Sequence, residues 1–156
     1  MKKIAIVSVA AMLSAGAAVA QTPYGPPITL EQARKCYAAA ETEAARNKWP
    51  VTIAVLDSGG HLKLLQTMDN TQLASPEIAR EKAWSAFGYR RPTKAFQDGL
   101  AKGGEGWRLL HLHRAIAVEG GLPIVTDGKI IGAVGVSGVT SEQDGQIAKA
   151  CADVMK

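Results

Sequence analysis

The feature that most limits the possible folds is the run Lys129-Ile130-Ile131-Gly132-Ala133-Val134-Gly135-Val136-Ser137-Gly138, which follows Leu122 to Thr126 across the dipeptide Asp127-Gly128. Asp-Gly between two apolar, β-branched segments favours a two-residue turn with both central residues at positive φ, so the segments pair as a hairpin. Glycines inside a strand weaken it unless another element approaches closely, so Gly132 and Gly135 predict tight packing against the sheet. Gly138, at the end of the strand and before a helix, leaves open a turn whose N–H groups face an anion. The spacing matches neither the dinucleotide fingerprint, the phosphate-loop lysine pattern nor the hydrolase elbow.

The rest of the chain supplies partners for that hairpin. Val51 to Leu56 is a second β-branched run, Asp57-Ser58-Gly59-Gly60 carries turn chemistry, and His61 to Met68 returns as its partner strand. Ala115 to Val118, set off by Gly120-Gly121, reads as a fifth strand. Thr29 with Gln32 forms a capping box that opens a helix through Ala33, Cys36, Tyr37, Ala40 and Ala44 towards Asn47, and Lys48-Trp49-Pro50 stops it. Ser75 as N-cap with Pro76 behind it announces a second helix, with Ala79, Ala83, Ala86 and Phe87 inward, Trp84 at the flank, and an end at Arg91-Pro92. Thr93 caps a shorter helix from Lys94 to Leu100, and Gly103-Gly104-Glu105-Gly106 breaks the chain before Trp107 to His113, which reads equally as a helical turn or as extended. Ser141, with Glu142 and Asp144 in its first turn, starts a last helix ending near Met155. This order favours one α+β domain over residues 29–156, with a five-stranded, mostly antiparallel sheet flanked by helices, behind a Pro-rich lead-in at 21–28.

Residues 1–20 stand apart from that domain. Met1-Lys2-Lys3, an apolar run from Ile4 to about Gly16, and small residues at Ala18 and Ala20 read as a secretory signal peptide cleaved before Gln21. The run is short for a membrane span, no basic cluster follows it, and Pro23, Pro26 and Pro27 break any helix there, so no span is expected after cleavage and the location is periplasmic or secreted. The whole chain carries 18 basic and 14 acidic side chains; without Lys2 and Lys3 the balance is 16 to 14, too even and too dispersed for nucleic-acid binding. An oxidising compartment permits a disulfide between Cys36 and Cys151, each in an expected helix near one end of the domain; two separate buried thiols are the alternative.

Few residues offer chemistry. Of three histidines, His111 and His113 form a His-x-His pair that projects to one face if the segment is extended. With His61 they make a three-His metal site with an open position, or one of them is an axial ligand to haem iron, beside an apolar wall such as Trp107. The plainer alternative is that all three are surface or hydrogen-bonded histidines. Asp57, Asp69, Asp127 and Asp144 sit in or beside turns and read as turn or cap residues, so no carboxylate pair and no catalytic residue is assigned.

The ordered set Val55-Leu56-Asp57-Ser58-Gly59-Gly60-His61-Leu62, Met68-Asp69, Ile78-Ala79 with Lys82-Ala83, Pro92-Thr93, Gly120-Gly121-Leu122-Pro123-Ile124 and Gly132 to Gly138 before Gln143-Asp144 resembles the GlcG/HbpS family of haem-binding proteins. The match runs from about Thr29 to Met155. It implies a compact domain with a five-stranded antiparallel sheet, assembly into homo-oligomers, and haem as ligand, bound, sensed or in some members degraded. Carried onto this chain, the Asp57 to His61 turn, Thr93 at its helix start and the Gly120-Gly121 loop are the positions that would line the ligand site. The family often has Arg before Met-Asp where this chain has Gln66-Thr67, and Thr-Ala after Lys-Ala where it has Trp84-Ser85, which weakens any inference of propionate binding through that Arg position. Two other functions fit the residues: an enzyme on a small hydroxy- or oxo-carboxylate with His61 as general base and the Gly138 turn as carboxylate site, and a non-catalytic accessory periplasmic protein. The lack of a second acid or base beside His61 weighs against the enzyme.

Overall fold

The computed structural model describes residues 21–156; the expected signal peptide at residues 1–20 lies outside the described residues. The elements are α1 (Leu30–Asn47), β1 (Thr52–Asp57), β2 (Leu62–Thr67), α2 (Ser75–Gly88), α3 (Lys94–Ala101), a 3-10 helix (Gly104–His111), β3 (Gly121–Thr126), β4 (Lys129–Ser137) and α4 (Ser141–Asp153). The strands form one antiparallel sheet in the order β2-β1-β4-β3. The two middle strands, β1 and β4, are buried along almost their whole length, as their continuous apolar runs require. Asp127 and Gly128 both take positive φ, +49° and +71°, so the hairpin turn forms as its dipeptide dictates.

The sheet has two unlike faces. Ile53, Val55, Val134 and Val136 meet the Ala33, Cys36, Ala40, Ile147, Ala148 and Cys151 side chains of α1 and α4 in the apolar core. The opposite face is built of small residues and takes α2. Ala54 and Gly135 are register partners there, and a Cβ added at Gly135 would stand 2.0 Å from the Ala79 carbonyl oxygen and 2.5 Å from the Ala83 nitrogen. The helix backbone therefore rests directly on the strand. Gly135→Ala is expected to cost about 3 kcal/mol through overpacking, read as a lower urea midpoint. An unchanged midpoint would show that α2 is free to lift from the sheet.

A disulfide joins Cys36 of α1 to Cys151 of α4, Cα atoms 4.2 Å apart and both residues fully buried. The lead-in is also docked: the Ile130 N–H donates to the Pro23 carbonyl and the Gly25 N–H to the Ile130 carbonyl, each at 2.8 Å, beyond the end of β1. Tyr24 and Ile130 form a single parallel bridge.

Several expectations are corrected. The sheet has four strands, not five: Ala115 to Val118 forms no ladder, because its neighbourhood is tied to side chains instead, Ile116 N–H to Ser85 Oγ at 3.2 Å and Glu119 N–H to Gln97 Oε1 at 2.8 Å. Ser75 is the first residue of α2 and not its cap; its hydroxyl is buried 3.4 Å from that of Ser137, and Ala74 precedes the helix without a side-chain cap. Thr93 precedes α3, but its hydroxyl accepts no N–H of that helix. Phe87 is half-buried, its ring packed on Tyr24. The last helix, α4, does start at Ser141 with Glu142 and Asp144 in its first turn, and Thr140 with Gln143 forms its capping box. The Thr29 and Gln32 box at α1 forms as expected, and Lys48 closes that helix at φ +58°.

Candidate functional site

At the end of β1 the chain turns around the buried carboxylate of Asp57. Its Oδ1 accepts the Gly59 N–H at 2.9 Å and the His61 N–H at 3.0 Å, so both orphan donors of the turn are satisfied. The same oxygen lies 3.3 Å from His61 Nδ1, and Oδ2 lies 3.6 Å from Lys63 Nζ. Burial pushes the Asp57 carboxyl upward, but the two backbone N–H groups, with His61 and Lys63, outweigh it and hold the group below its ordinary 3.8. A carboxyl held low stabilises the fold fully above the unfolded value and loses that contribution as pH falls through the folded one. Asp57→Asn is therefore expected to flatten the acid limb of the stability profile below about pH 4, and an unaltered limb would show that Asp57 makes no such contribution.

The turn presents its histidine to solvent. The His61 side chain is 82% exposed, with Nδ1 towards the carboxylate and Nε2 facing away from it. Gly60, at φ +79°, is pressed against aromatic rings: a Cβ there would meet Phe87 Cε1 at 3.2 Å and Trp84 Nε1 at 3.9 Å. On its other sides Trp84 meets the His113 ring edge-on at 6.1 Å between centroids and carries the Arg114 guanidinium 4.2 Å above its own. Arg114 is fixed by two bonds to the Glu81 carboxylate, at 2.9 and 3.2 Å, and the Tyr89 hydroxyl donates to the His113 carbonyl at 2.7 Å. Trp84 thus links the His61 turn and His113.

The other expected site residues divide into two groups. Trp107 is 64% exposed and His111 is exposed, on a 3-10 helix that buries nothing, and the tryptophan beside His113 and the His61 turn is Trp84. Among the described residues no three His, Cys, Asp or Glu side chains are grouped to hold a metal ion, so His61, His111 and His113 do not form a three-His centre. Thr93, Gly120 and Gly121 do come together, but inside the protein. Thr93 Oγ1 accepts the Gly121 N–H at 2.9 Å, and Gly120 packs on Lys82 Nζ and Asp144, where an added Cβ would stand 2.8 and 2.9 Å away.

Beneath that loop lies a group that turn and cap chemistry did not suggest. Lys82 Nζ donates to Asp144 Oδ2 at 2.7 Å, and both residues are almost wholly buried. Burial pushes Lys82 down and Asp144 up, and their mutual attraction opposes both shifts. The other Asp144 oxygen accepts the Val139 N–H at 3.3 Å, which closes the turn after Gly138. Gly138 itself lies against Pro50 and Val51, its Cβ position 2.3 Å from the Pro50 carbonyl oxygen. The turn expected to receive a carboxylate is filled by the chain.

A cleft of about 460 Å³ runs along the open edge of β3, between that strand, the C-terminal half of α4 and the Arg90 to Pro92 turn. No histidine lines it.

Comparison with known proteins places this fold and sequence among relatives. Residues 28–153 match the family described as haem degrading protein, HbpS-like. The protein GlcG of Escherichia coli K12 is 43% identical over 110 residues, covering 70% of this chain and 81% of that protein. Among solved structures, the ORFY protein of Klebsiella pneumoniae superposes with a TM-score of 0.79 at 33% identity, covering 89% of this chain and 97% of that one. A PduOC:haem complex superposes at 0.74 with 25% identity, covering 83% and 96%.

Proposed function

Because the chain belongs to the HbpS-like family, we propose that it is an exported haem-binding protein in which His61 ligates the iron through Nε2. The observation that carries this reading is the Asp57–His61 pair: a buried carboxylate 3.3 Å from Nδ1, with the opposite ring nitrogen open to solvent. A carboxylate behind a ligating histidine fixes its ring and raises its basicity, and this is the usual second partner of a metal-bound imidazole.

The surrounding residues suit the rest of the molecule. Trp84 and Phe87 offer an aromatic wall behind the turn, and Lys63 is a cation at its margin for a propionate. When bound, haem supplies an iron whose reactivity follows from its axial ligand. The residues that would hold it are His61, whose Nδ1 lies beside the Asp57 carboxylate, and the Trp84 and Phe87 rings behind the turn. The PduOC:haem complex supports a haem site on this fold. The signal sequence expected at residues 1–20 supports a periplasmic or secreted location, and the exposed Trp107, Leu110 and Leu112 support a homo-oligomer that would cover them.

Hemin titrated into tag-free protein tests the ligand. A saturable, one-to-one Soret shift is expected, weakened about tenfold or more by His61→Ala, which is the loss of at least 1.4 kcal/mol of binding, and unchanged by His111→Ala. Equal shifts in wild type, His61→Ala, His111→Ala and His113→Ala would overturn histidine ligation.

A further inference from the structure

The cleft at the open edge of β3 takes no part in the haem reading, yet it has the features of a built binding site. Its volume of about 460 Å³ falls in the range of small-molecule pockets. Leu122 and Val125 of β3, Ile130 of β4 and Ala152 of α4 give it an apolar floor. β3 ends the sheet, and an end strand invites another strand, but Pro123 lacks the N–H that pairing would use. A small molecule suits this edge better than an added chain.

The charges at the rim define which molecule. Arg90, Lys149 and Lys156 all line the cleft. Lys149 and Lys156 share one carboxylate, that of Asp153. Arg90, at φ +53°, is held with its guanidinium 4.6 Å from the Tyr24 ring centre, and no carboxylate lies within ion-pair reach of it among the described residues. Glu119, the other acid of the cleft, has Lys94 at 3.9 Å. Cations therefore exceed anions beside an apolar floor, and a guanidinium fixed on an aromatic ring is suited to receive a carboxylate in two bonds.

We propose that this cleft binds a small amphipathic carboxylate, with its apolar body over Leu122 and Val125 and its acid group between Arg90 and the Lys149–Lys156 pair. The site is independent of His61, and it takes its ligand without iron.

Decanoate titrated into the ¹⁵N-labelled protein tests it. Saturable shifts are expected at β3, Ile130 and the end of α4, with decan-1-ol, the same chain without charge, binding several-fold more weakly. Arg90→Glu, on the surface and outside the core, is expected to weaken decanoate by about tenfold, while His61→Ala leaves it unchanged. Ala152→Phe, which fills the floor, is expected to abolish the shifts. Scattered or non-saturating shifts, equal binding of the alcohol, or an affinity indifferent to both Arg90→Glu and Ala152→Phe would overturn the proposal. Because His61→Ala separates the two sites, failure here leaves the haem reading untouched, and the reverse holds.

Discussion

Lys82→Met is expected to lose about 3–5 kcal/mol of stability, measured by urea unfolding, because it leaves the Asp144 carboxylate buried without its counter-charge. The ion pair spans from α2 to α4 past the end of the sheet, at 2.7 Å and almost without solvent, and Gly120 is folded directly over it. Asp144→Leu is expected to be as costly, since it strands the ammonium and also the Val139 N–H. The double variant Lys82→Met/Asp144→Leu separates pairing from burial. Removing both charges removes both desolvation costs, so its stability should return to within about 2 kcal/mol of wild type, the remainder being the unpaired Val139 N–H. A double variant as unstable as the two single losses together would show no coupling between the two charges and contradict the pairing account. On the present reading its main effect is specificity: only one placement of α2, α4 and the Gly120 loop joins the two charges.

The double variant Cys36→Ala/Cys151→Ala is expected to lose a comparable amount. The bridge closes a sequence separation of 115 residues, nearly the whole domain. In the chain-entropy account, freeing a loop of that length from the unfolded state costs about 5 kcal/mol, and a domain of this size would melt about 15 °C lower. Both cysteines are fully buried between α1 and α4, so the smaller side chains also leave space in the core. Thermal unfolding of the two proteins decides the matter. Equal melting temperatures would mean that the core alone holds α1 against α4 and that the bridge adds nothing to stability.

Local chemistry was legible wherever a few adjacent residues decide the outcome. Asp127-Gly128 specified its turn, Thr29 with Gln32 specified the start of α1, and glycines in β4 announced the close approach of α2. Where tertiary partners compete with local preference the sequence misled. Ser75 and Thr93 are good caps, yet Ser137 and the Gly121 N–H take their hydroxyls. Ala115 to Val118 is apolar enough for a strand, yet Ser85 and Gln97 bond the neighbouring backbone donors. Asp144 resembled a first-turn helix acid and proved to be half of a buried pair. A signal was present for its partner: Lys82 shares a helical face with Ala79, Ala83 and Ala86, where an exposed lysine does not belong.

The candidate site was half legible for the same reason. His61 was placed by the Asp57-Ser58-Gly59-Gly60 turn that carries it, and Asp57, read as a turn residue, does bind the backbone N–H groups of Gly59 and His61, with its Oδ1 also 3.3 Å from the His61 Nδ1. Trp107, adjacent to the His-x-His pair in sequence, is exposed, whereas the indole that meets the His113 ring and lies beside the His61 turn is that of Trp84. Thr93, Gly120 and Gly121, carried over from the family pattern, form a cluster whose demonstrable contacts are internal packing on the Lys82–Asp144 pair.

Ferric haem broadens nuclear resonances close to its iron, and a diamagnetic zinc porphyrin does not. Comparing the ¹H–¹⁵N spectrum of the protein with each, one-to-one, locates the bound iron directly. The expected result is selective loss of the amide signals of the Asp57 to His61 turn and of the Trp84 to Gly88 end of α2, with β3 and the end of α4 spared. Loss centred on β3 and α4, with the His61 turn unaffected, would place haem in the edge cleft and contradict ligation by His61.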